Sequence, residues 1–385
     1  MDLNLSNEQK QIAKLARDFA QKEIYSKIKT LDKEEKFDPV IFKKMADAGF
    51  LGLVIPEKYG GQGLDYISLG LLSLELEKID SMARFIILVH LGLNSLTLLK
   101  FATEEQKNKY LTPQAKGEKI AGFALAEPNA GSDFSGIETH AKKDSNFYIL
   151  NGEKTWITLA NQGDNFLIFA ITDKSKKQDG ISCFIVERNT PGFSSSPLKG
   201  KLGMRAGDTG SISLNDVKVP SKNLLGNEGD GYKIALFALT NGLYTVASGA
   251  VGIIEACLDE SIKYAKERET FGKEIGRHEL VQEMIAKMVS AKEIGRLLMY
   301  HVGYLKNNNK PSTRETFLTK WINCDNAFKS ADDALQIFGA YGYSNEFNIE
   351  RYWRNARGGL IYGLTREVHT IFQADYALGY KDESF

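Results

Sequence analysis

The stretch that decides the architecture is FALAEPNAGSD at 123–133, together with NFYILNGEKTWIT at 146–158. The first is a loop of small and polar residues. The second reads as two strand-like runs, with Asn151-Gly152 as a hairpin turn between them. NFLIFAIT at 165–172 and ISCFIVE at 181–187 follow as short apolar runs, and SISLNDVKVP at 211–220 alternates until it meets a proline. Short strands punctuated by turns predict a small all-β domain, a barrel in the simplest reading.

Outward from this centre the periodicity becomes helical. Ser6 with Gln9 is a capping-box start, and Ile12, Leu15, Ala16 and Phe19 then recur at helical spacing. Amphipathic segments are expected near 39–50, 66–79, 84–100 and 104–116. The helical period returns at about 229 and persists. The expected organisation is α+β: an N-terminal α-helical domain over 1–120, a central β-barrel domain over 121–228, and a C-terminal four-helix-bundle domain over 229–385.

Bulk composition bounds the function. The 385 residues carry 49 Lys plus Arg against 49 Asp plus Glu, a balance that argues against nucleic-acid binding. Cys183, Cys257 and Cys324 are scattered, so buried thiols in a reducing cytoplasm are expected rather than a disulfide framework. The histidines show no ligand spacing, so no metal is expected. The N-terminus lacks a signal-peptide pattern, and no stretch reads as a membrane span. Gly60-Gly61-Gln62-Gly63 lacks the preceding strand of a dinucleotide fold and reads as a plain surface loop.

Four motifs in order carry a specific resemblance: AEPNAGSD (126–133), NGEKTWIT (151–158), RETFGKEI (268–275) and ALQIFGAYGY (334–343). Tyr110-Leu111 and KVPSKNLLG at 218–226 fit the same pattern. The chain resembles the acyl-CoA dehydrogenase family over essentially its whole length. The resemblance implies an FAD enzyme of an acyl thioester, on coenzyme A or a carrier protein. It also implies an electron-transfer flavoprotein as partner and a homotetramer or homodimer. Leu125, Ala126, Ser132, Trp156, Thr158 and Thr365 would then line FAD. Arg268, Thr270, Phe271, Gln336 and Gly339 would reach the ADP half of a neighbouring subunit's cofactor. An arginine suits a pyrophosphate because its planar fork gives charge-assisted hydrogen bonds. Taken alone, Trp156 would be a core aromatic and Arg268 a helix-surface ion-pair partner.

The pattern breaks at the acyl end. Family dehydrogenases place a glutamate in a Tyr-Glu-Gly-Thr segment, which here reads Tyr362-Gly363-Leu364-Thr365. The alternate position of a family minority falls on Gly242 in LTNGLYTV, followed by Leu243 where an arginine is usual. Glycine has no side chain with which to take a proton. His90 and Tyr362 are the candidate replacement bases, with Glu367 one helical turn past Gly363. Arg84, in EKIDSMARFI, resembles the arginine that grips an acid tail in glutaryl-CoA dehydrogenases and in the sulfinopropionyl-CoA desulfinase branch. A surface arginine at a helix start is the open alternative. Two readings follow: α,β-dehydrogenation with a non-standard base, or non-oxidative decarboxylation or desulfination of an acid-tailed thioester. A homologue that holds FAD without turnover is the third.

Overall fold

In the computed structural model residues 4–380 are described. The N-terminal part is helical: α1 (Asn7–Phe19), α2 (Ser26–Glu34), α3 (Pro39–Asp47), α4 (Tyr66–Glu77), α5 (Ser81–Ile86), α6 (Leu96–Phe101), α7 (Glu104–Gln106) and α8 (Thr112–Ala115). Local chemistry sets the starts. Gln9 N donates to Ser6 Oγ at 3.1 Å while Ser6 N donates back to Gln9 Oε1 at 3.0 Å, the expected capping box. Asp65 and Asp80 cap α4 and α5 through Ser68 N at 2.7 Å and Met82 N at 2.8 Å. A π-helical tract, Ile87–Ser95, joins α5 to α6 without a break. The result is one apolar helix over Ser81–Phe101.

The central part holds β1 (Ala121–Ala124), β2 (His140–Asp144), β3 (Phe147–Thr158), β4 (Asn165–Ile171), β5 (Ile181–Glu187), β6 (Phe193–Pro197), β7 (Thr209–Pro220) and β8 (Leu224–Leu225). The sheet order is β6-β7-β3-β2-β4-β5-β8, with β1 pairing parallel to β4. Its side chains divide between two cores. Phe166, Ile168, Phe184, Leu150 and Val217 fill the inside of the curled sheet. Leu167, Phe169, Cys183 and Ile185 join the helical core on the other face. A strand buried on both faces reads as a continuous apolar run, which is why NFLIFAIT does not alternate.

The expected hairpin turn at Asn151-Gly152 is not there. β3 runs straight through both residues, and the turn falls at Ser145, whose φ is 54°. Gly152 sits instead at a register shift between β3 and β7, with φ of 149°. A Cβ there would lie 2.4 Å from Thr139 Oγ1, so glycine serves a bulge and a close approach.

The C-terminal part contains α9 (Gly231–Glu267), the hairpin β9 (Glu269–Thr270) and β10 (Lys273–Glu274), α10 (Glu279–Asn307), α11 (Thr313–Phe338), α12 (Ile349–Gly359) and α13 (Arg366–Ala377). The 37-residue α9 is about 55 Å long at 1.5 Å per residue and packs against α4, α10 and α11. One sequence expectation needs correction here. Ser81–Phe101 and Gly231–Glu267 are long and apolar enough to span a bilayer by length and mean hydropathy, yet 89% of each apolar window is buried within the fold. Both helices are apolar all round because they run through the interior.

Candidate active site

The residues expected to line a flavin come together on one wall. Thr155 N donates to Ala126 O at 3.0 Å, joining β3 to the loop after β1. Beneath that loop lies Lys154, fully buried, whose ammonium donates to Leu125 O at 3.1 Å and to Glu127 Oε1 at 2.7 Å. The other Glu127 oxygen accepts from Glu138 N, and Thr139 N donates to the first at 3.0 Å. Burial holds the Lys154 ammonium down to about 8, while Glu127, less enclosed, is held below the usual carboxylate range by Lys154 and these N–H donors. Ser132 Oγ accepts from Thr365 N at 3.3 Å, tying this wall to the segment before α13.

The wall suits a flavin on its own geometry. Trp156 has φ of 57°, a conformation that costs a bulky side chain energy, and its indole is 62% exposed. A strained and bare tryptophan has not been placed to fill a core. Gly131 has open space where a Cβ would stand, so backbone can come close to a ligand. Thr158, at the end of β3, is half-buried beside them.

A second group lies elsewhere. Arg268 caps α9, and Phe271, at the tip of the β9–β10 hairpin, is 97% exposed with φ of 52°. Thr270 Oγ1 bonds His278 Nε2 at 3.1 Å. Tyr264 stacks on Phe338 with ring centroids 4.1 Å apart, which brings the end of α9 to the end of α11. Gln336 and Gly339 are there, both exposed.

At the acyl end the structure departs from a surface arginine. Arg84 is 1% exposed. Its Nε donates to Glu77 Oε2 at 2.5 Å and its Nη2 to the Tyr362 hydroxyl at 2.6 Å, with the Phe85 ring centroid 4.3 Å from its Cζ. Ser81 Oγ donates to the other Glu77 oxygen at 2.6 Å. Nη1 of Arg84 is buried and has no partner among the described residues. Although burial opposes charge, Glu77 and Tyr362 keep the guanidinium fully protonated. Burial pushes the Tyr362 phenol up well beyond its ordinary value, so it keeps its proton. That removes Tyr362 as a candidate base and makes it a donor.

His90 is corrected more completely. It is fully buried, with Nε2 on Gln114 O at 3.0 Å and Nδ1 accepting from Ala121 N at 3.1 Å. Desolvation lowers it to about 4, and both nitrogens already serve the backbone. It clamps the π tract to β1 and has no nitrogen free to move a proton. Glu367 is exposed in the first turn of α13.

The two glycines differ. A Cβ on Gly242 would meet Leu93 Cδ2 at 2.5 Å and Leu88 Cδ1 at 2.9 Å, and one on Gly92 would meet Gly242 Cα at 3.2 Å. Gly92 and Gly242 are where the π tract crosses α9. Gly363 has φ of 63° and, among the described residues, a single close neighbour, Leu243 Cδ2, at 2.7 Å from such a Cβ. The turn is held by Lys320 Nζ donating to Leu364 O at 2.9 Å and by His369 Nε2 on Gly363 O at 3.3 Å. Glu77, Lys320 and His369 were missed by sequence reasoning. Glu77 stands seven residues before Arg84 in the quoted segment, a signal that was available.

Comparison with known proteins shows the family. The N-terminal, middle and C-terminal domains of acyl-CoA dehydrogenase match residues 6–118, 122–217 and 229–377. The chain belongs to the acyl-CoA dehydrogenase family, which uses FAD and whose members are oxidoreductases. It is 37% identical over 377 residues to an acyl-CoA dehydrogenase of Bacillus subtilis (strain 168), covering 98% of this chain and 100% of that one. Among solved structures it is similar to a glutaryl-coenzyme A dehydrogenase in its glutaryl-CoA complex, with TM-score 0.96 and 35% identity over 100% of this chain and 98% of that one. It is also similar to the prolyl acyl carrier protein oxidase AnaB, with TM-score 0.94 and 33% identity over 97% and 100%.

Proposed function

We propose that the protein is an FAD-dependent oxidoreductase of an acyl thioester whose far end carries an acidic group, and that a base other than a glutamate at 363 or 242 takes the α-proton. The observation that carries this is Arg84 Nη1, a buried donor without a partner among the described residues. Buried donors are normally satisfied, so an orphaned guanidinium nitrogen points to a ligand oxygen. Tyr362 accepts from Arg84 through its oxygen, which leaves its hydroxyl proton to donate as well. Two such donors suit a carboxylate or sulfinate. The glutaryl-CoA complex of a similar structure supports an acid tail. AnaB supports a carrier protein as the alternative to coenzyme A.

Bound FAD would supply the two-electron acceptor for hydride. Residues of this chain would do the rest. Trp156 would cover the ring, Ser132 and Thr158 would donate to its polar edge, and Arg84 with Tyr362 would fix the tail. About 38 Å of α9 separates Leu243, at the acyl end, from Arg268 at 1.5 Å per residue. That separation supports a cofactor shared between two copies, with Arg268, Thr270, Phe271, Gln336 and Gly339 serving the neighbour. An electron-transfer flavoprotein is the proposed electron acceptor.

The second reading, decarboxylation or desulfination without net oxidation, is favoured by the leucines around both glycines. C–C or C–S cleavage would need no carboxylate there. Anaerobic mixing of the FAD-loaded enzyme with butyryl-CoA and with glutaryl-CoA decides between them. Flavin bleaching with an enoyl product supports the first reading. Loss of the acid group without bleaching supports the second. No reaction and no spectral perturbation with either thioester would refute both.

A further inference from the structure

We infer that Leu243 is a specificity-determining residue of this site: it occupies the volume into which a side chain at position 363 would project. This rests on the acyl-thioester reading. Leu243 lies on α9, 1% exposed, one residue past the helix crossing at Gly92 and Gly242. Among the described residues beyond the immediate chain neighbours of Gly363, only its Cδ2 comes within 4 Å of a Cβ built there, at 2.7 Å. Real Cβ atoms do not approach that closely, so one side must yield.

The turn is not the side that yields. The carbonyls of Gly363 and Leu364 are held by His369 and by the 1%-exposed Lys320, and the next amide donates to Ser132 Oγ. Leu364 itself has φ of 72°, so two successive residues are in the left-handed region. Sliding this turn away would break three hydrogen bonds anchored on two different elements and the loop after β1. Leu243 is 1% exposed, so turning its methyl away from position 363 requires space elsewhere in a close-packed core. The small residue at 363 and the large one at 243 are therefore complementary. The wall facing the thioester is hydrocarbon, and its reach is set from α9 rather than from the turn.

A consequence follows for restoring a carboxylate. Gly363→Glu alone should fail to accelerate flavin reduction, because its Cβ has no room. Leu243→Ala opens the volume. The experiment uses FAD-loaded wild type, Gly363→Glu, Leu243→Ala and the double variant, with anaerobic stopped-flow reduction by butyryl-CoA. The double variant should exceed either single change by about 10²-fold in the reduction rate, the lower range for a placed general base. Gly363→Glu alone performing as well as the double variant would overturn the proposal.

A second cycle is independent of turnover. Gly363→Ala should lower Tm, and roughly half or more of that loss should disappear in the Leu243→Ala background, because neighbours in contact are not additive. Equal losses in both backgrounds overturn the contact, and with it the proposal, even if the glutamate variants fail to fold. A coupled Tm cycle with no variant bleached by butyryl-CoA or glutaryl-CoA overturns the specificity role and separately counts against the thioester reading.

Discussion

The flavin wall and the acyl end are a few residues apart in space, joined by Ser132 and Thr365, yet they are built by opposite means. The wall is made of backbone brought into the open: Gly131 has room around it, and Trp156 is twisted and bare. The acyl end is made of packed side chains, among which Arg84 Nη1 and His369 Nδ1 are buried without a partner among the described residues. A cofactor surface that serves many reactions can be uniform. A substrate surface must suit one substrate, and in the proposed reading leucine and glycine shape it.

The largest effect that would test this contrast is at Arg84. Arg84→Met leaves Glu77 buried without its cation, which typically costs about 3–5 kcal/mol. Arg84→Met with Glu77→Met should recover much of that stability in a denaturant titration and still lose activity on glutaryl-CoA more than on butyryl-CoA. Equal losses on the two thioesters would remove Arg84 from the substrate surface.

On the cofactor side, Arg268→Ala should weaken FAD retention by about 1.5–3 kcal/mol, the range for hydrogen bonds to charged groups. Equilibrium dialysis of the holoenzyme reads it. An unchanged Kd would detach the hairpin from the cofactor.

A comparable or smaller loss is expected at His90, and it should be one of stability alone. His90→Phe leaves Ala121 N–H and Gln114 C=O unpaired, at about 1–3 kcal/mol. Because the folded histidine is lowered from 6.5 to about 4, the unfolded chain binds the extra proton first. The stabilisation is therefore complete above pH 6.5 and is lost as pH falls toward 4. The wild-type Tm should drop across that window more steeply than that of His90→Phe. A variant that keeps its Tm but loses turnover per bound FAD would restore His90 to the chemistry.

The smallest change separates strain from function. Trp156→Gly removes a bulky residue from positive φ and should raise the stability of the FAD-free protein by about 0.5–1 kcal/mol. The same variant should bind FAD more weakly, read by fluorescence quenching. If FAD binding is unaffected, the bare indole belongs to some other contact.

Much of the architecture was legible from local chemistry. The capping box at Ser6 and Gln9 and the apolar runs at 165–172 and 181–187 depend on neighbours in sequence, and they appear where expected. Asn151-Gly152 misled because the same freedom in φ serves a turn or a bulge, and only Thr139 across the sheet decides which. His90 misled because its partners, Gln114 and Ala121, are 24 and 31 residues away. Lys320 gave no signal at all, since the acceptor it reaches is a backbone carbonyl 44 residues on. The residues proposed for FAD rest on resemblance, and their grouping into two sets required the length of α9.

The π tract at Ile87–Ser95 has a consequence of its own. Backbone bonds there reach from i to i+5, so the segment holds more residues than an α-helix of the same length would. Each α-helical residue turns the chain by about 100° at 3.6 per turn. The tract therefore works as a phase adjuster between Arg84 on one side and the Leu96–Phe101 turn on the other. Removing one residue from it would turn Arg84 and the Leu96–Phe101 segment by about 100° relative to one another.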